Sequence, residues 1–147
     1  MLAYIGAALD QQAAHLVLPF ATCDLASGRV VGSTRYMNID QPNRRVEIGS
    51  TWIARPWQRT AISTEAKYLM LQYAFEQLGC LRVELKTDAL NQASRTAILR
   101  IGATQEGIFR NHMICGDGRV RDSVWFSIIE AEWPQAKARL ESMLSHR

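Results

Sequence analysis

Hydrophobic positions along the chain change their period several times, and each change marks an element. Leu2, Ile5 and Leu9 recur at helical spacing, so Met1 to Ala14 reads as a short helix with one apolar face. Pro19 interrupts the next run and places the first strand at Phe20 to Asp24, with an earlier start left open. Leu25-Ala26-Ser27-Gly28 has turn chemistry. Arg29 to Ile39 is strand-like, with Val30, Val31, Tyr36 and Ile39, and Asp40-Gln41-Pro42-Asn43 is a second turn. Val46 to Ile53 is a further strand. Three strands joined by short turns predict an antiparallel meander.

Beyond this point the period lengthens. Ala66, Leu69, Met70, Tyr73, Ala74 and Leu78 recur at helical spacing, and Gly79 stops the helix. Leu81, Val83 and Leu85 then alternate with Arg82, Glu84 and Lys86, the pattern of a half-buried strand. Asp88 to Asn91 is a loop, and a second helix carries Ala97, Ile98 and Ile101 as far as Gly102. Two strands, Thr104 to Ile114 and Val120 to Ile129, flank a Gly116-Asp117-Gly118 turn. Trp133-Pro134 opens a last helix whose apolar face is Ala136, Leu140, Met143 and Leu144. A meander followed by alternating strands and helices predicts an α/β fold, one mixed sheet with helices on its faces.

Composition narrows the class. A chain of 147 residues with 48% hydrophobic and 21% charged residues suits one domain with a substantial core. No apolar run approaches the roughly 20 residues that span a bilayer, and the N-terminus lacks the basic start of a secretory signal. Cys23, Cys80 and Cys115 are widely spaced and odd in number, which gives neither a disulfide framework nor a zinc spacing. A reducing, cytoplasmic setting without a metal is expected. The net charge of +3 is mild and does not call for a nucleic-acid or membrane partner.

The most informative stretch runs from Trp52 to Ala66. An apolar strand enters a short basic loop, and the loop opens directly onto an amphipathic helix. Such a junction presents unpaired N–H groups and the positive end of the helix dipole to one point, a seat for a phosphate or pyrophosphate. The plainer alternative is an ordinary strand-to-helix connection capped by Ser63 or Thr64.

Several further stretches fall in a telling order: Glu47-Ile48-Gly49-x-x-Trp52, Gln58 through Ala66, and Tyr73-Ala74-Phe75-Glu76-x-Leu78-Gly79-x-x-Arg82-Val83-Glu84-Leu85. Asn91-x-x-Ser94-x-x-Ala97 and Gly102-Ala103-x-x-Glu106-Gly107 complete them. Together they resemble the GNAT superfamily of acyl-CoA-dependent N-acetyltransferases, and most closely its ribosomal-protein alanine acetyltransferase subgroup. The resemblance covers the chain from Phe20 onward. It implies a mixed, mostly antiparallel sheet with a splayed central strand pair and helices on both faces, as a single acyltransferase domain over residues 1–147. The family carries a further strand and helix before the segment that begins here. A sheet edge exposed by their lack is one a homodimer would cover.

The resemblance implies acetyl-CoA, or coenzyme A, as the cofactor. The loop Gln58-Arg59-Thr60-Ala61-Ile62-Ser63, with Thr64 after it, matches the family's pyrophosphate loop, although Ala61 and Ser63 replace its glycines. The strand edge at Trp52, Ile53 and Ala54 would pair with the pantetheine arm as an added strand does. Asn91 matches the asparagine that bonds the pantetheine; read alone it is equally a loop or helix-cap asparagine.

Acetyl transfer needs an amine stripped of a proton, a polarised thioester and a protonated leaving thiolate. Glu47 is a candidate base acting through water, or else a salt-bridge partner of Arg35, Arg44 or Arg45. Ser94 matches the subgroup serine near the thioester sulfur and is the candidate acid, or else a first-turn serine. The tyrosine that many relatives use falls here at Ala97 or Ile98, which cannot donate. The subgroup's catalytic glutamate falls at Met113; His112 beside it is a candidate in its place, and strand alternation decides whether it faces the site. Arg35, Tyr36, Trp52 and Trp125 are candidates for the acceptor wall. The implied reaction moves an acetyl group onto an amine, whether of a protein N-terminus, a lysine or a small molecule. The replaced glycines, tyrosine and glutamate also fit an alternative, a catalytically weak acyl-CoA-binding module.

Overall fold

The computed structural model describes residues 1–146. Helix α1 (Leu2–Ala13) leads into strands β1 (Val17–Asp24), β2 (Arg29–Asp40) and β3 (Arg45–Ile53). A 3-10 turn (Arg55–Trp57) precedes helix α2 (Ala61–Gln72), which ends in a wide π-turn (Tyr73–Gln77). Strand β4 (Arg82–Asp88), helix α3 (Gln92–Arg100), strands β5 (Thr104–Ile114) and β6 (Val120–Ile129) and helix α4 (Trp133–Ser145) complete the chain. The strands form one sheet in the order β1-β2-β3-β4-β6-β5. Only the β3–β4 pair is parallel, and every other pair is antiparallel.

Alternation along the strands sorts the side chains into two faces. Tyr36, Val46, Ile48, Val83, Leu85, Val124 and Phe126 point to the face that carries the core. Met70, Leu71, Ala74 and Phe75 from α2 and its π-turn, Ile98 and Ile101 from the α3 end, and Trp133, Ala136 and Leu140 from α4 close over them. Arg35, Glu47, Glu84, Lys86 and Trp125 alternate with those residues and point to the other face. Helix α1 lies on that second face, where Tyr4 and Gln11 accept hydrogen bonds from the Arg35 guanidinium at 2.8 and 3.1 Å.

Four details depart from the sequence pattern. Strand β1 begins at Val17 and runs through Pro19, because β1 is an edge strand and a missing N–H there breaks no ladder. The face of α1 expected to be buried is mostly open, with Leu2, Ile5 and Leu9 exposed and Ala8 buried. Tyr36, a candidate for the acceptor wall, is 1% exposed in the core, and its hydroxyl donates to the Met70 carbonyl at 2.5 Å. Helix α2 starts at Ala61, so Thr60 is its N-cap, not Ser63 or Thr64.

The feature that shapes the site is the parting of β3 and β4. Their ladder holds only from Arg45↔Arg82 to Glu47↔Glu84. Beyond it β3 stays paired with β2 as far as Ile53, while β4 stays paired with β6 as far as Asp88. A bulge accompanies the parting: the β2–β3 register slips between Ser33↔Trp52 and Arg35↔Gly49, and Ser50 takes φ of 48°. One extra residue bends the strand and increases its local twist, and it turns Thr51 to the core face, 2.8 Å from the Thr34 hydroxyl. No helix among the described residues is long and apolar enough to cross a membrane.

Candidate functional site

The V between β3 and β4 opens into a cleft of about 840 Å³. Ile48, Gly49, Ser50 and Thr51 form one wall and Leu85, Lys86 and Thr87 the other. Arg59, Thr60, Ala61, Ser63, Thr64 and Lys67 close it from the loop and α2, and Asn91, Ser94, Ala97 and Arg100 from α3. Beyond Glu47 the β3 edge that faces β4 has no ladder partner, so its backbone groups are available to an added extended chain.

The N-terminus of α2 is open. Its cap, Thr60, makes no side-chain cap bond, because the hydroxyl donates instead to the Trp57 carbonyl at 2.6 Å. The first N–H groups of the helix therefore keep their bonding capacity at the positive end of the dipole. Arg59 just before it adopts φ of 60°, the left-handed conformation that folds the loop back at this point.

Charge reinforces the geometry. Arg59, Lys67, Lys86, Arg100 and Arg121 all line the cleft, and no Asp or Glu does. Burial lowers the Lys67 amine to about 8, since the charged form loses solvation with no carboxylate to replace it. A narrow, polyanionic ligand with an extended arm fits this cleft: phosphates at the α2 end, and a hydrogen-bonding chain along β3.

The second face carries a row of polar and aromatic groups across the sheet. Glu47, 1% exposed, accepts from Lys86 Nζ at 3.0 Å and from Asn38 Nδ2 at 2.5 Å. The Lys86 ammonium lies over the Trp125 ring, 5.1 Å from its centroid. Trp125 packs in turn against Phe109 and His112, with ring centroids 5.3 and 5.9 Å away. His112 Nδ1 is 2.9 Å from the Ser123 hydroxyl. The Trp125 indole N–H and the Arg35 Nε are buried without a partner, two donors left over on this face.

The structure brings together part of what the sequence nominated. Arg59, Thr60, Ala61, Ser63, Thr64, Asn91 and Ser94 share the cleft. Trp52, Ile53, Ala54, Gln58 and Ile62 do not line it. Trp52 and Ile53 pair with β2, Ala54 N–H donates to the Val31 carbonyl at 2.7 Å, and Gln58 Nε2 donates to the Ile53 carbonyl at 2.9 Å. The wall lies earlier on β3, at Ile48 to Thr51, because the strand parts from β4 immediately after Glu47. Asn91 Oδ1 accepts from Ser94 N–H at 3.0 Å and so caps α3 while it borders the cleft. Glu47 takes Lys86 as its partner rather than Arg35, Arg44 or Arg45. His112 and Trp125 both lie on the Glu47 face. Sequence reasoning missed Lys67, Lys86, Arg100 and Arg121; only Lys67 left a signal, four residues after Ser63 on one face of the helix.

Comparison with known proteins gives this architecture a lineage. The "Acetyltransferase (GNAT) domain" family matches residues 2–104. The chain is 35% identical over 113 residues to "Putative ribosomal N-acetyltransferase YdaF" of Bacillus subtilis (strain 168), covering 77% of this chain and 61% of that protein. A GCN5-related N-acetyltransferase from Brucella melitensis superimposes with a TM-score of 0.83 at 42% identity, over 86% of this chain and 57% of that one. Mycobacterium smegmatis RimJ, solved in complex with CoA-disulfide, superimposes with a TM-score of 0.82 at 28% identity, over 97% of this chain and 68% of that one. The chain thus spans about three fifths of the length of the first two relatives. With the family's domain matching residues 2–104, the chain belongs to the GNAT acetyltransferase family.

Proposed function

We propose that residues 1–147 form a single acyltransferase domain that moves an acetyl group from acetyl-CoA to an amine, by direct attack within a ternary complex. The observation that carries this reading is the cation-lined cleft at the parting of β3 and β4, next to the uncapped start of α2. The thioester supplies an acyl carbonyl already activated for transfer to nitrogen. Arg59 and the backbone N–H groups from Thr60 to Ser63 hold the phosphates. The free β3 edge from Ile48 to Thr51 holds the pantetheine arm, and Asn91 borders it. Ser94 lines the same cleft, and its hydroxyl protonates the leaving thiolate.

On the opposite face the acceptor amine enters between α1 and the β5–β6 hairpin. His112 takes up the amine proton at the ring nitrogen not engaged with Ser123. Glu47, fixed by Lys86 and Asn38, orients the incoming amine at the centre of that face. The acceptor is a protein N-terminus, a lysine or a small amine; the name of the B. subtilis relative favours a ribosomal protein. Free cysteines fit a reducing cytoplasm, and the open edges of β1 and β5 fit a homodimer.

A second reading has one observation in its favour. Both Glu47 oxygens are already bonded, by Lys86 and Asn38, which suits a catalytically weak acyl-CoA-binding module. One experiment separates the readings. CoA should raise the melting temperature and Arg59→Glu should erase the rise; no rise in the wild type sinks both. Thiol release from acetyl-CoA should then increase with at least one member of an amine and peptide panel, and a flat response leaves the binding module.

A further inference from the structure

Of the five cationic side chains on the cleft wall, Lys67 is the one that α2 itself supplies. It follows Ser63 by four residues, so the two share a helix face, and both line the cleft. A long side chain on a helix leans back over the turn N-terminal to its own Cα. The stem of Lys67 therefore runs toward the turn whose N–H groups are unpaired. Beside it lies a small recess between α2 and the sheet, formed by Thr34, Thr51, Ile53, Ala66 and Met70.

Among the described residues, the surroundings of this lysine carry positive side chains and no Asp or Glu. The loop before α2 contributes Arg59, α3 contributes Arg100 and β6 contributes Arg121, while Lys86 of β4 turns its ammonium to Glu47. Strands β2 and β3 offer the hydroxyls of Thr34, Ser50 and Thr51, and α4 offers Met143 and Leu144. The carboxylate of Glu47 is on the other face and bonded to Lys86. No ion pair or hydrogen bond engages Lys67 among the described residues, and burial lowers its amine to about 8. A half-buried ammonium without a counterion is costly unless a ligand provides one.

We propose that Lys67 is a built-in anchor for a phosphate oxygen of the bound cofactor, and that cofactor binding draws a proton from solvent onto its amine. The proposal rests on the acetyl-CoA reading and adds a residue outside the Gln58–Ser63 loop. The sign follows from the charges. In the free protein the amine is half protonated near pH 8. A phosphate beside it favours the ammonium, so its value in the complex is higher. Binding then takes up roughly a tenth of a proton at pH 7 and roughly half at pH 8, and affinity falls as pH rises beyond that.

Calorimetric titration of the protein with CoA at pH 7, 8 and 9, each in two buffers of different ionisation enthalpy, reads this uptake directly. The wild type should take up about half a proton at pH 8 and bind several-fold more weakly at pH 9 than at pH 7. Lys67→Arg, charged throughout, should bind as the wild type does at pH 7 but without the uptake. Lys67→Met should bind about tenfold more weakly at pH 7, the loss of one charge-assisted hydrogen bond. Titration of the ligand's own phosphate is common to all three proteins and cancels in the differences. CoA binding by the wild type with no uptake at pH 8, or with the same uptake in wild type and Lys67→Met, overturns the role of Lys67 alone. Failure of CoA to bind the wild type at pH 7 overturns the acetyl-CoA reading together with it.

Discussion

Replacing Lys86 by methionine would leave the Glu47 carboxylate 1% exposed and without its ammonium. Methionine keeps most of the aliphatic stem against Trp125, so the change isolates the charge. At the observed 3.0 Å separation, two unit charges in an effective dielectric of 20 attract by about 5–6 kcal/mol. Lys86 is 16% exposed, so solvent screens little of this. Asn38 still donates to Glu47 in the variant, and the ammonium no longer has to be desolvated. The net loss is then about 3–5 kcal/mol, the range for stranding one member of a buried pair. Against a total stability of about 5–15 kcal/mol that leaves a marginal fold, with Tm lowered by roughly 6–15 °C. Urea denaturation should be run on Lys86→Met, Glu47→Gln and the double variant. The double variant should recover a large part of the Lys86→Met loss, because no carboxylate is then left uncompensated. A Lys86→Met protein within 1 kcal/mol of wild type, or a double variant as unstable as the two single losses summed, refutes the reasoning.

The remaining predictions address the cofactor side and the frame. Ser94→Ala should lower kcat while the Kd for CoA stays nearly constant, because the N-cap bond uses the Ser94 backbone N–H, not its hydroxyl; steady-state kinetics beside calorimetry checks it, and unchanged turnover rejects the acid role. Asn91→Ala removes that N-cap and should cost about 1 kcal/mol by urea denaturation. Gly32→Ala would drive a methyl group into the Trp52 carbonyl oxygen and the Ile53 side chain, and should destabilise by about 1–3 kcal/mol in the same assay. Arg119 holds the Asp88 carboxyl below its ordinary value. A lowered carboxyl stabilises the fold above its unfolded pKa and loses that contribution as pH falls through its folded one. Arg119→Ala should therefore melt below wild type at pH 7, begin to converge with it near the ordinary Asp value of 3.8 and meet it only below the lowered folded value; a gap unchanged at low pH refutes the pairing.

The physical division between what is local and what is distant explains which parts of the site were readable. Periodicity and breakers are local, so the β5–β6 hairpin, the start of α4 at Trp133 and the N-terminal seat of α2 were all visible along the chain. Pro19 misled because its meaning depends on whether the strand is at an edge, and edge position is a property of the sheet. Likewise the apolar residues of α1 predicted a helix correctly but not what covers it.

By itself, then, the sequence determined the elements, their order and the loop that leads into α2, because each depends on neighbours within a few residues. Only the tertiary structure decided where the cleft lies. A bulge at Ser50 and a ladder that ends at Glu47 move its wall from Trp52–Ala54 back to Ile48–Thr51. It alone gave Glu47 to Lys86, 39 residues away, and gathered Arg59, Lys67, Arg100 and Arg121 around one opening. Such pairings are set by strand register and helix packing, and a one-residue slip reverses which face a side chain meets; no local pattern encodes that.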